Sequence, residues 1–158
     1  MEHAPIPHNE AERQGIITRM RIATFDAEPE LDRITSLAKR IFDVKSATMT
    51  VIDHDRQIFK SRANFEKLES RRDISFCGHA ITQTERMVIK DARIDPRFSD
   101  NPLVICDTPV IFYAGMPVHH HEGQPVGTLC IFDDKPREMS QRDIDNLKDL
   151  AYLVDMIL

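Results

Sequence analysis

No stretch of this sequence approaches the run of about 18 apolar residues that a membrane-spanning helix needs, so a membrane span is excluded. Nor is there an excess of basic charge. Lys and Arg number 21 against 26 Asp and Glu, a net charge of −5, which argues against a nucleic-acid-binding face. The basic dipeptide Arg71-Arg72 is too short to alter that. The opening MEHAPIPHNEAERQ is polar and acidic, without the apolar core of a secretory signal. Cysteine is scarce, with 3 residues at 77, 106 and 130. An odd number so widely spaced suggests reduced thiols in a cytoplasmic protein rather than a disulfide framework. Internal repeats and low-complexity tracts are lacking too. What remains is the composition of one soluble globular domain, 158 residues with 41% hydrophobic and 30% charged. Such a chain buries enough surface to fold without crosslinks.

Residues 1–8, with Pro5 and Pro7, are expected to form a flexible lead-in. The run NEAERQGIITRMRI reads as a helix, with Asn9 as N-cap and Glu12 three residues on. Pro29 suits the first turn of a second helix, PELDRITSLAKRIF. There Leu31, Ile34, Leu37, Ala38, Ile41 and Phe42 recur at helical spacing and predict a buried face. SATMTVID alternates and is rich in β-branched residues, so it reads as a strand. DHDR turns, and QIFKSR returns as a second strand. Residues 64–73 read as a mobile loop or short helix. SFCGHAITQTE predicts a third helix over 75–84 with Asp73 or Ser75 as cap, and MVIKDA a short strand. RIDPRFSDNPLVICDTP has three prolines and reads as a long excursion with one helical turn. Loops this long in a compact domain are usually functional. VIFYAGMPVHH and PVGTLCIFD flank the turn HEGQ and are apolar on both faces, as mid-sheet strands are. Ser140 caps a last helix, in which Ile144, Leu147, Leu150, Ala151, Val154 and Ile157 form one stripe. The order predicts an α+β domain: a central five- to six-stranded antiparallel sheet, long helices on one face, and the 75–84 helix plus the long loop on the other.

SFCGHAI, VIKDARIDPRFSDNPLV, FYAGMPV and GQPVGTLCIFD, followed by a helix containing LKDLA, together resemble the GAF domain. The resemblance is greatest to GAF domains of bacterial sensor histidine kinases and diguanylate cyclases, and it covers residues 9–158 as a single domain. It implies a pocket between the sheet and the SFCGHAI helix with the long loop. It also implies a regulatory role: binding a small molecule, or a partner, and passing the result to an output domain such as a diguanylate cyclase or kinase. On this resemblance the domain itself is expected to be non-catalytic. The stripe of the last helix reaches VDMIL without a C-cap. The chain is therefore expected to be either part of a longer signalling protein or a stand-alone regulator. The helices at 10–22 and 140–158 are expected to join two copies as a homodimer.

Within SFCGHAI, Cys77 and His79 are two apart and point about 200° apart on a helix, so neither a nucleophile–base pair nor a metal pair is expected of them. Phe76, Cys77 and Ala80 are instead expected to roof the pocket, with the N–H groups of residues 75–77 free to meet an anion. Asp91, Phe98 and Asn101 in the long loop either hold that loop together, with Asp95, Arg93 and Arg97, or reach a ligand. Phe112, Ala114 and Met116 share one strand face. Together with Met49, Val51, Thr128 and Cys130 they are expected to line a mostly apolar site. The cofactor is not indicated by any motif. His119, His120 and His121 lie at a turn and fall short of a structural zinc site, so no metal is expected. Two further readings stand beside the sensor. In one, Cys77 and Cys106 meet and reduce free methionine sulfoxide. In the other, the pocket is collapsed and the fold serves only as a dimerisation scaffold.

Overall fold

The computed structural model describes residues 1–158. Its elements run α1 (Glu10–Met20), α2 (Pro29–Phe42), β1 (Ser46–Asp53), β2 (Arg56–Ala63), β3 (Glu69–Arg71), α3 (Phe76–Ala80), β4 (Met87–Ile89), a 3-10 turn (Ala92–Ile94), β5 (Phe112–His119), β6 (Pro125–Asp133) and α4 (Gln141–Ile157). The six strands form one antiparallel sheet in the order β3-β2-β1-β6-β5-β4. This is the α+β architecture that the order of elements predicts. No helix is long and apolar enough to cross a membrane.

The sheet separates two cores. On one side α2 and α4 cover Ala47, Met49, Val51, Phe112, Ala114, Met116, Leu129 and Ile131. On the other, α3 and the long loop cover Ile52, Tyr113 and Cys130. β1 and β6 sit at the centre and are buried almost throughout. α2 buries Leu31, Ile34, Ala38 and Phe42 but leaves Leu37 and Ile41 exposed. Ser140 caps α4 as expected: its hydroxyl accepts from the Asp143 N–H at 3.0 Å, and the Asp143 carboxylate accepts from the Ser140 N–H at 3.1 Å.

Four local expectations are corrected. Residues 1–8 are docked: the Glu2 N–H donates to the Arg97 carbonyl, the Ala4 N–H to the Asp73 carbonyl, and Ala4 is buried. Asn9 does not cap α1 with its side chain; its amide donates to Gln124 at 3.0 Å. Residues 69–71 form an edge strand that a three-residue charged segment could not announce. The third helix is five residues long, because the Thr82 hydroxyl takes the His79 carbonyl at 2.6 Å and closes the last turn. Ser75 is its cap, accepting from the Gly78 N–H at 2.9 Å.

Candidate ligand cavity

Between α3, the sheet and the second half of the long loop lies a cavity of about 100 Å³. Its wall is mostly aromatic and aliphatic, with Phe59, Phe65, Phe76, Tyr113 and Phe132 around it. Phe65 packs on Phe59 at 4.6 Å and edge-on to Phe132 at 5.4 Å between ring centres. The exposed residues Lys67, Cys106 and Thr108 also border it and mark where it reaches solvent. Polar groups are few. Gln57 is buried, and its amide N–H donates to the Ser70 hydroxyl at 3.0 Å. The amide oxygen at the other end, Oε1, has no hydrogen-bond partner. A buried acceptor left bare is costly, and this one lines a cavity.

Cys77 and Cys130 meet on the cavity floor with sulfurs 3.7 Å apart. α3 carries Cys77 over the sheet because Ser75 starts the helix there. β6 presents Cys130 and Thr128 on the same face, as alternation requires. Around the Cys77 sulfur the Thr128 hydroxyl donates at 2.9 Å and the Tyr113 hydroxyl at 3.2 Å. Thr48 shares a hydrogen bond with Cys130 at 3.0 Å, and Thr50 one with Thr128 at 3.1 Å. Burial pushes the Cys77 thiol up, but hydrogen bonds from Cys130, Thr128, Tyr113 and Thr50 outweigh it and bring the thiol down to about 7. Burial and the neighbouring Cys77 sulfur push the Cys130 thiol well above its ordinary value. One thiol of the pair is thus set to ionise before the other.

Tyr113 reaches Cys77 because Gly115, two residues on along β5, leaves its space open. A Cβ at Gly115 would lie 2.6 Å from the Tyr113 Cζ. Gly115→Ala should therefore drive the ring off Cys77 and cost about 1–3 kcal/mol, as overpacking does. Urea unfolding with tyrosine near-UV dichroism reads both. An unchanged dichroism would show that the ring does not depend on this glycine.

The residues expected to form the site are divided by the sheet. Phe76, Cys77 and Cys130 do line the cavity, and Thr128 touches it through Cys77. Met49, Val51, Phe112, Ala114 and Met116 are corrected to the opposite face, in the core beneath α2 and α4. The pleat sends Thr48 and Tyr113 to the cavity and their neighbours away from it. Ala80 and Phe98 pack in the core behind the cavity, with Phe98 stacked on Phe76 at 4.3 Å. Asn101 staples the loop, donating to the Ile74 carbonyl at 3.0 Å and accepting from the Leu103 N–H at 2.8 Å. Asp91 caps the 3-10 turn and pairs with Arg93 at 2.7 Å, and Asp95 pairs with Arg97 at 2.8 Å. The loop borders the cavity through Leu103, Cys106, Thr108 and Val110 instead.

The other sequence candidates resolve simply. Of the N–H groups expected to meet an anion, that of Ser75 is taken by the Arg72 carbonyl at 3.0 Å; just beyond them, the N–H of Gly78 goes to the Ser75 hydroxyl. Cys106 is exposed, and its closest polar neighbour is the Leu103 carbonyl at 3.6 Å; the close partner of Cys77 is Cys130. His120, His121 and Glu122 bring ligand atoms within 4.8 Å of one another at the β5–β6 turn. There His120 Nδ1 already accepts from the Glu122 N–H at 3.3 Å. Gln57, Phe59 and Tyr113 were missed. The signal for them was the Thr48–Thr50 and Thr128–Cys130 alternation, which marks the face of the sheet beneath α3 and the long loop.

Among known proteins, the chain is 33% identical over 155 residues to a protein of Pseudomonas aeruginosa named cyclic di-GMP phosphodiesterase, covering 98% of this chain and 26% of that protein. The chain thus spans about a quarter of that relative. Of solved structures, the GAF domain of an Acinetobacter phosphoenolpyruvate-protein phosphotransferase superposes with a TM-score of 0.70 at 13% identity, over 96% of this chain and 93% of that one. The free methionine-R-sulfoxide reductase of Neisseria meningitidis superposes with a TM-score of 0.67 at 13% identity, over 92% and 83%. These relatives correct the expectation of a non-catalytic domain: the first is named as a phosphodiesterase and the last is a reductase. The GAF domain model matches residues 26–158, and the chain belongs to that family.

Proposed function

We propose that this chain is a small-molecule-binding GAF domain of a cytoplasmic signalling protein that takes part in cyclic di-GMP turnover. The observation that carries the reading is the cavity with one bare, buried acceptor, Gln57 Oε1. An aromatic wall with one bare, buried acceptor selects a small, flat or compact ligand that offers an N–H or O–H group. Size limits the choice further. An engineered cavity of about 150 Å³ admits benzene, and this one is about 100 Å³. A whole cyclic dinucleotide does not fit, so the ligand of this cavity is a smaller molecule than cyclic di-GMP. The part in cyclic di-GMP turnover is supported by the relative's name.

The relay is assigned to the helical side, where α2 exposes Leu37 and Ile41 and α4 exposes Tyr152, Leu153 and Met156. A homodimer through this face covers them. α1 contributes little, since its apolar residues Ile16 and Ile17 are already buried in the chain.

A thermal-shift screen of small metabolites tests the binding reading. A ligand at a hundred times its dissociation constant adds about 2.7 kcal/mol, which for this chain length is a rise of about 5–10 °C in Tm. The rise should vanish in Val110→Phe, which fills the cavity from the loop, and weaken in Gln57→Leu. A rise that survives Val110→Phe would place binding elsewhere and sink the proposal.

A further inference from the structure

We propose that Cys77 and Cys130 are a redox-active dithiol, oxidised to a disulfide by small hydroperoxides that enter the cavity. The inference is independent of which ligand the cavity holds. Buried free cysteines ordinarily act as small inert apolar groups. This pair departs from that pattern in three ways. The sulfurs are 3.7 Å apart, so closing to the roughly 2.05 Å of a disulfide asks for little movement. Cys77 is ringed by hydroxyls from Thr128 and Tyr113, donors that stabilise a thiolate. Both cysteines line a cavity that reaches solvent, which gives an otherwise buried pair an entry route. At about 100 Å³, and about 30 Å³ per water in the liquid, the cavity takes hydrogen peroxide but not a bulky lipid hydroperoxide.

The chemistry balances with the hydroperoxide as oxidant. The Cys77 thiolate attacks one peroxide oxygen and the O–O bond breaks. Cys77 becomes a sulfenic acid, and the departing oxygen takes a proton and leaves as water or alcohol. The Cys130 sulfur then attacks the Cys77 sulfur. An S–S bond forms, the S–O bond breaks, and the hydroxide leaves as water with the Cys130 proton. Two electrons pass from the two thiols to the peroxide. The product ties α3 to the centre of β6.

The test uses the full chain, reduced, freed of thiol reagent and exposed to hydrogen peroxide. Samples are quenched in denaturant with N-ethylmaleimide and mapped by non-reducing peptide mass spectrometry. The expected result is a linked Cys77–Cys130 peptide pair, reversed by dithiothreitol, with Cys106→Ser leaving it intact. In Cys130→Ser the reaction should stop at a Cys77 sulfenic acid that dimedone traps. Tyr113→Phe, checked for folding by its melt, should slow the oxidation about fivefold, a change that mere packing would not produce. Cumene hydroperoxide should react far more slowly than hydrogen peroxide. Free Cys77 and Cys130 after Cys106 has been oxidised, or a link from Cys77 to Cys106, would overturn the proposal. Either failure would leave the thermal-shift test of ligand binding untouched.

Discussion

Glu10→Ala should destabilise the domain by about 3 kcal/mol at neutral pH. Glu10 grips two arginines at once. Its carboxylate takes Arg13 at 2.8 and 3.0 Å and Arg72 at 2.5 and 3.1 Å. Arg13 is 0% exposed and Arg72 3%. Their other contacts are backbone carbonyls, Pro125 for Arg13 and His54 for Arg72. Without Glu10, two buried cations face each other with no anion between them. Breaking a buried pair costs about 3–5 kcal/mol, and the 22% exposure of the Glu10 side chain favours the lower end. Two-state urea unfolding checks the value, and a change below about 1 kcal/mol would refute it. The pH dependence has a definite sign. Burial raises the Glu10 carboxyl, but the hydrogen bonds and charges of Arg13 and Arg72 win and hold it at about 2, against 4.5 ordinarily. A depressed carboxyl contributes stability above its unfolded value and loses it as the pH falls toward the folded one. The wild type should therefore weaken between about pH 4.5 and 2, and Glu10→Ala should show less of that acid limb.

Gly127→Ala should be worse, costing at least about 4 kcal/mol and leaving little folded protein. Gly127 faces Val51 across β1 and Val118 across β5. A Cβ there would run into the backbone of Thr50, 2.6 Å from the carbonyl carbon and 3.0 Å from the Val51 Cα. Flexible side chains yield to such an intrusion, but the backbone of the central strand does not. Glycine inside a strand often marks a close backbone approach of this kind. A soluble Gly127→Ala protein with a wild-type melt would disprove the account.

The fold was legible because its periodicities were unambiguous. α2 and α4 each show apolar residues at helical spacing, and β1, β5 and β6 are long and rich in strand formers. The cavity was less so. FYAGMPV is apolar on both faces, so nothing in it tells which parity looks toward α3, and the wrong parity was assigned. β1 held the missing clue, since Thr48 and Thr50 alternate with Met49 and Val51. Hydroxyls belong on the side with a cavity and thiols to bond. The pairing of Glu10 with Arg72 spans 62 positions, and no local pattern signals it. The expectation of a domain without catalysis came from family habit rather than from residues, and the relatives correct it.

The strand order has a consequence for how the molecule assembles. β1 and β6 are neighbours at the middle of the sheet, yet Thr50 meets Thr128 across 78 positions. During synthesis β1 and β2 can pair as a hairpin early, but one long side of β1 stays open until almost the whole chain has emerged. Neither apolar core closes before then, because both draw on β6. The domain thus folds late and nearly all at once, with the slow kinetics of distant pairings. An unprotected strand edge is its most vulnerable state on the ribosome.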